Sequence, residues 1–91
     1  MPKKSDPFRE AVGMRLAQLR EGKGFKKQRH FANEIGIPEE TYTKWEKGKA
    51  LIPPYYVLEL KRKFGITADW LYFGDESALP RALYTEIKKA A

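Results

Sequence analysis

Apolar residues recur every three or four positions along most of the chain, which is the spacing of amphipathic helices and not of strands. Near the N-terminus, four apolar residues follow this spacing: Phe8, Val12, Leu16 and Leu19. They come after Asp6 and Pro7, a pair typical of an N-cap followed by proline at the first helical position. The pattern predicts a first helix from about residue 7 to residue 21, stopped by the glycines at 22 and 24.

Glycines and prolines divide the rest of the chain into shorter helical segments. The predicted segments are residues 28–35, 39–47, 54–64 and 67–73, with a last amphipathic helix that starts from residue 80. Thr67 is the predicted N-cap of the fifth helix. No stretch alternates convincingly between apolar and polar positions, so the sequence predicts an all-α fold. We divide it into a flexible N-terminus at 1–6, a main domain at 7–74, and a link with a C-terminal helix at 75–91.

The segment from Gln28 to Gly48 has the side chains that two closely crossing helices require. Ala32 is small enough for the second helix to pass over the first. Gly36 accepts the positive φ of a tight turn without steric cost, and Ile37 fills the corner behind it. This pattern predicts a helix-turn-helix unit, in which the second helix can enter the major groove of DNA.

Composition narrows the class of protein. A chain of 91 residues is about one domain, and 18 Lys and Arg against 12 Asp and Glu give a net charge of +6, which favours an acidic partner such as nucleic acid. The absence of cysteine excludes disulfides and thiolate zinc sites. No apolar run approaches the roughly 20 residues that a membrane span needs. We expect a soluble, cytoplasmic protein with no membrane partner.

Catalytic chemistry has little support in the sequence. His30 is the single histidine, and neither Ser5 nor Ser77 has a neighbouring base. Glu39 and Glu40 are adjacent on a predicted helix and diverge by about 100°, unlike a paired carboxylate site. The glycines form no phosphate-cradling loop. We therefore predict that the protein is not an enzyme, with no catalytic residues, no metal site and no cofactor.

Four segments together resemble the Cro and lambda-repressor-like helix-turn-helix regulators, often called the Xre family. They are RLAQLREGKGF, QRHFANEIGI, TYTKWEKGKA and FGITADWLYFGD, and they follow one another at that family's spacings between about residues 12 and 74. The resemblance implies a compact five-helix domain, here with an extra C-terminal helix. It also implies a regulator that binds a double-stranded DNA operator as a homodimer. We interpret the protein as a repressor of bacterial, phage or mobile-element origin.

The resemblance also assigns site residues on the recognition helix at 39–47. Positions that usually face bases are Glu39, Glu40, Thr43 and Lys44. Gln28 matches a glutamine that usually touches a phosphate, and three further residues match positions near the backbone: Thr41, Lys47 and Lys49. A run of basic residues without an acid suits phosphate neutralisation and adds Lys27 and Arg29 to the backbone contacts.

Three departures from the family pattern keep a second interpretation open. Lys26 and Lys27 stand where a capping hydroxyl is usual, and Pro38 removes a backbone N–H at the start of the recognition helix. Glu39 and Glu40 place two negative charges on the expected DNA surface. The alternative is a helix-turn-helix fold reused to bind a protein, for example an antiactivator that sequesters a transcription factor. An antitoxin-like protein would combine both activities.

The C-terminal helix lies beyond the family resemblance. Its apolar positions Leu83, Tyr84 and Ile87 fall on one side. They suit either packing on the domain or contact with a second chain, and we favour contact with a second subunit or a partner.

Overall fold

The computed structural model describes residues 6–90 of the chain. It contains six helices, α1 (Pro7–Gly22), α2 (Gln28–Ile35), α3 (Glu39–Glu46), α4 (Pro54–Phe64), α5 (Ala68–Phe73) and α6 (Arg81–Ala90). No strand occurs within residues 6–90. The all-α prediction is therefore confirmed. The predicted N-terminal segment at 1–6 lies outside the described residues, except for Asp6.

Side-chain caps precede the first residues of α1 and α5, as the sequence predicts. The carboxylate of Asp6 accepts hydrogen bonds from the backbone N–H groups of Phe8 at 2.9 Å and Arg9 at 3.4 Å. The hydroxyl of Thr67 accepts from the N–H of Trp70 at 2.9 Å. Each cap satisfies donors that the first turn of a helix leaves unpaired. Both predicted N-caps are confirmed.

Two helices end one residue away from the predicted position, and α5 and α6 begin one residue after the predicted 67 and 80. The first helix continues through Gly22 and is closed by Lys23. The third helix ends at Glu46, so Lys47 is its C-cap and not its last residue, and Gly48 follows in the left-handed region at φ +76°. Helix ends fray, so a difference of this size is expected.

All six helices contribute buried side chains to one hydrophobic core, and an aromatic cluster within it lies where α2, α3 and α4 meet. The ring of Phe31 on α2 is fully buried, and its centroid lies 5.3 Å from that of Phe25, 5.4 Å from that of Tyr42 and 5.4 Å from that of Phe64. Such contacts add to the burial energy of the aromatic side chains. Tyr42 and Trp45 belong to this core, so their rings are not available for base stacking.

Helix α1 crosses α3 at unusually short range. A Cβ atom on Gly13 would lie 2.3 Å from the carbonyl oxygen of Glu46 and 2.6 Å from that of Trp45. Only a residue without a side chain fits between the two backbones. This crossing fixes the inner side of α3 and leaves its opposite side open.

Helix α6 packs on α1 of its own chain. Leu83 and Ile87 are 4% and 2% exposed, and the backbone of α6 approaches Gly22 closely. Lys23 pairs with Glu86 at 3.1 Å. Leu83 and Ile87 therefore serve the domain's own core, and only Tyr84 of the predicted apolar face is left exposed. The prediction that this face contacts a second chain is therefore wrong for Leu83 and Ile87. The amphipathic pattern predicts an apolar face but does not predict which surface covers it.

Candidate functional site

Helices α2 and α3 form a helix-turn-helix unit with the predicted turn. Gly36 adopts φ +78°, in the left-handed region. The N–H of Ile37 donates to the carbonyl oxygen of Ala32 at 3.0 Å, which satisfies a carbonyl at the end of α2. Ala32 and Ile37 are both buried. The structure gives each of the three residues the position that the sequence predicts.

Six of the ten predicted site residues line one open depression on the outer side of α3. Its volume is about 370 Å³, and its lining residues are Glu39, Glu40, Thr43, Lys44, Lys47 and Lys49. All are exposed except Thr43, which is half-buried. We call this surface the α3 depression. It contains every residue predicted to face bases.

The other four predicted residues lie beside the α3 depression or away from it. Lys27 and Arg29 are exposed at the start of α2, where Lys27 is an N-cap without a side-chain hydrogen bond. Gln28 is half-buried and accepts a hydrogen bond from the hydroxyl of Thr43 at 3.0 Å. The structure therefore connects the first turn of α2 to the α3 depression. Thr41 is exposed but does not line it.

The α3 depression carries charges of both signs. Glu39 and Glu40 lie in the first turn of α3, where the helix dipole favours negative charge. Lys44, Lys47 and Lys49 lie further along. Among the ion pairs shorter than 4.0 Å in the described part of the chain, none joins these acids to these lysines. Their charged groups therefore remain available to a partner.

The buried carboxylate of Glu46 stabilises the helix-turn-helix unit on the inner side of α3. It accepts hydrogen bonds from Nε of Arg20 at 2.8 Å, from Nε2 of Gln28 at 2.8 Å, and from the hydroxyl of Tyr42. The side chains of Arg20 and Glu46 are 8% and 7% exposed. Glu46 thus connects α1, α2 and α3 through one side chain.

Arg20 also fixes the loop that leads into α2. Its Nη1 donates to the carbonyl oxygens of Phe25 at 2.9 Å and Lys26 at 2.8 Å. One guanidinium therefore positions the start of α2 and, through Glu46, the last turn of α3. Its planar array of donors makes several directed bonds at once.

The environment of this network keeps its donors protonated. Burial raises the pKa of Tyr42, and the hydrogen bond to Glu46 raises it further, so the hydroxyl stays a donor. For Arg20, burial acts against the charged form, but the hydrogen bond and the negative charge of Glu46 outweigh it and raise the pKa of Arg20. Both donors therefore stay available to Glu46 over the physiological pH range.

Sequence reasoning missed Arg20 and Glu46. The spacing of Glu46 from Tyr42, four residues along α3, places its side chain on the inner side of the helix. This spacing could have identified Glu46 as an inward-facing residue. No signal pairs Glu46 with Arg20, because the two residues are 26 positions apart and on different helices.

Metal-binding clusters and membrane-spanning helices are both absent from the region that the structure describes. Within residues 6–90, no group of three or more His, Asp or Glu side chains is arranged to hold a metal ion. None of the helices in this region has both the length and the apolar character needed to cross a membrane.

A comparison with models of protein families identifies the fold unit. A family model described as a helix-turn-helix domain matches residues 13–76, more than two thirds of the chain. No curated protein and no solved structure matches the chain. The matched range includes α2, α3 and every residue that lines the α3 depression.

Proposed function

The chain belongs to the helix-turn-helix domain family, and on that basis we propose that it is a sequence-specific DNA-binding transcriptional regulator with α3 in the major groove. One observation carries the proposal. Residues on the outer side of α3 form a single open depression beside the exposed start of α2. A major groove about 12 Å wide accepts one helix, whose exposed side chains then meet base edges.

The charges of this surface suit the two kinds of contact that such a regulator makes. Lys27 and Arg29 at the start of α2 would neutralise phosphates, and uncapped N–H groups there suit a phosphate oxygen. Lys44 would donate to guanine, and the carboxylates of Glu39 and Glu40 would accept from the amino group of cytosine. The acids thereby contribute to base selection, while the lysines supply attraction to the backbone.

Within the helix-turn-helix family we place the chain in the Cro and lambda-repressor-like branch, as a repressor of bacterial, phage or mobile-element origin. The support is the order and spacing of the four sequence segments that resemble this branch. Such a repressor works in the cytoplasm, where its operator lies, and needs no catalytic activity or cofactor.

Two lysines test the division between base and phosphate contacts. Lys44→Ala is expected to reduce the preference for the selected operator over other DNA by about fivefold or more, because a base contact is lost. Lys27→Ala is expected to weaken binding to all sequences alike and to lower the salt dependence by about 0.9 per lost phosphate contact. Fluorescence-anisotropy titrations at two salt concentrations, against DNA selected from random sequence, measure both quantities.

The control is Lys89→Ala, which removes the same charge from α6, outside the α3 depression. It should change neither quantity beyond the small effect of net charge. If Lys44→Ala and Lys27→Ala exchange their effects, the assignment of the two contacts is wrong.

A protein-binding role is the second candidate, and the exposed pair Glu39 and Glu40 favours it. Two carboxylates in the first turn of α3 would meet a basic surface on a partner such as a transcription factor. In that case the same titrations give only weak binding that a polyanion competitor removes. A pull-down with Glu39→Gln/Glu40→Gln as the negative control then identifies the partner.

We further propose that the protein acts as a homodimer through the surface formed by α4 and α5. An apolar groove of about 190 Å³ is lined there by Pro54, Val57, Leu58, Lys61, Ala68 and Tyr72. Leu58 is 43% exposed and neighbouring Tyr55 is 63% exposed, both large apolar side chains facing solvent. In a dimer on DNA, the two α3 helices would sit about 34–36 Å apart, one helical turn of DNA.

Replacing Leu58 with glutamate tests this dimer. A charge at the centre of an apolar interface is expected to weaken self-association by about tenfold or more. Sedimentation equilibrium measures the change directly. Met14→Glu is the matched control, because Met14 is 64% exposed on α1 and does not line the groove. Equal dimerisation by the Leu58 variant and the wild-type protein would remove this surface from consideration.

A further inference from the structure

A chain of three hydrogen bonds runs from the buried ion pair to the α3 depression. Arg20 donates to Glu46 at 2.8 Å, Gln28 donates from Nε2 to Glu46 at 2.8 Å, and the hydroxyl of Thr43 donates to Oε1 of Gln28 at 3.0 Å. Thr43 is the last member and also lines the depression. These hydrogen bonds thus connect the buried Glu46 carboxylate to the hydroxyl of Thr43, which faces the proposed partner.

The direction of each hydrogen bond follows from the one before it. A carboxylate paired with a guanidinium is ionised and can only accept, so Gln28 must turn its NH₂ group towards Glu46. The carbonyl oxygen of the same amide then points to Thr43, and an oxygen without hydrogen can only accept. The single hydroxyl proton of Thr43 is therefore committed to Gln28.

The hydrogen bond to Gln28 determines whether the Thr43 hydroxyl donates or accepts in the α3 depression. A threonine hydroxyl has one proton and two lone pairs. With the proton engaged, its oxygen offers lone pairs alone, so it accepts hydrogen bonds and does not donate them. In the major groove the exocyclic amino groups of adenine and cytosine are donors, whereas the O6 atom of guanine and the O4 atom of thymine are acceptors.

We propose that Thr43 is a specificity-determining residue that selects an amino base, adenine or cytosine, over a keto base, guanine or thymine, on the strand it contacts. Gln28 is the positioning residue that imposes this choice by holding the hydroxyl proton. The inference rests on the proposed DNA-binding function and adds the base class to it. It also gives Gln28 a role besides contact with a phosphate.

The first arm of the test uses the wild-type protein. DNA selected from random sequence is expected to contain one position per half-site with adenine or cytosine and a preference of about fivefold or more over guanine and thymine. At that position, the base is then replaced by an analogue that lacks only the exocyclic amino group. Binding should weaken by a similar factor, without any change to the protein.

The second arm uses three variants at the selected position. Thr43→Val keeps the shape and removes the acceptor, so the preference should disappear, and the amino-free analogue should cause no further loss. Thr43→Ser keeps the hydroxyl and should retain the preference. Gln28→Met keeps Thr43 but frees its proton, so keto bases should bind nearly as well as amino bases. A merely structural role for Gln28 would instead weaken binding to both classes equally.

The outcomes separate the inference from the function on which it rests. Sequence-dependent binding without a position that responds to Thr43→Val and to the amino-free analogue overturns the inference and leaves the proposed function intact. A thymine at the responsive position also overturns it, because the contact would then be made by the threonine methyl group. Absence of sequence-dependent binding by the wild-type protein overturns both. The analogue arm needs no variant, so misfolding of a variant leaves the test complete.

Discussion

Gly13→Ala is expected to lower the free energy of unfolding by about 3 kcal/mol or more, the upper range for overpacking. The sign is opposite to helix propensity, since alanine is the better helix former by about 1 kcal/mol. The added Cβ would lie 2.3 Å and 2.6 Å from two carbonyl oxygens of α3. These are backbone atoms that cannot rotate away, so α1 and α3 must separate.

Urea denaturation followed by circular dichroism measures this change. Gly22→Ala provides a graded comparison, because its Cβ would lie 2.9 Å from the carbonyl oxygen of Glu86. That distance is longer than the 2.3 Å at Gly13, so α6 has to move by less to relieve the overlap. Gly22→Ala should therefore destabilise the protein less. A Gly13→Ala protein as stable as the wild type would show that the two helices do not cross at this distance.

Arg20→Met is expected to cost about 3–5 kcal/mol, the range for removing one partner of a buried ion pair. The methionine fills much of the same space, so lost packing is a minor part. What remains is the carboxylate of Glu46, 7% exposed, with the charge that balanced it gone. The loop carbonyls of Phe25 and Lys26 also lose their donor.

A double variant distinguishes this cause from a general loss of packing. Arg20→Met combined with Glu46→Gln removes both charges, and its loss of stability should be clearly smaller than the sum of the two single losses. Arg62→Met is the surface control. Arg62 pairs with Glu59 at 3.2 Å but its side chain is 66% exposed, so its replacement should change stability by less than about 1 kcal/mol. Additive losses in the double variant would contradict an energetic coupling between Arg20 and Glu46.

The helices and the turn could be predicted from the sequence because their signals are local. Asp6 and Thr67 cap helices within three residues of their own positions, and Gly36 bends the chain at its own φ angle. The six residues of the α3 depression could also be placed together, since they lie on or directly after one short helix. Whether they contact bases stays a prediction that the DNA titrations test.

The rest depends on contacts between distant parts of the chain. Nothing in the local pattern around Arg20 points to Glu46, which lies two helices away. The close crossing at Gly13 is equally hidden, because a glycine within a helical pattern ordinarily signals only weaker propensity. The amphipathic spacing of α6 identified Leu83 and Ile87 as one face but did not identify α1 as the surface that covers it. The two features with the largest expected effects on stability, the crossing at Gly13 and the Arg20–Glu46 ion pair, therefore both depend on long-range packing.

Because Glu46 is buried, the residues that stabilise the helix packing are different from the charged residues exposed on the outer side of α3. The buried carboxylate of Glu46 hydrogen-bonds to residues of α1, α2 and α3. By contrast, five charged residues are exposed and form no ion pair within the described chain: Glu39, Glu40, Lys44, Lys47 and Lys49. Surface replacements of this kind usually change stability by less than about 0.5 kcal/mol. These five residues can thus be exchanged as a set while the scaffold stays intact, whereas Thr43 of the same surface is connected to Glu46 through Gln28. Evolution, or a designer, can recode what this domain recognises without having to rebuild it.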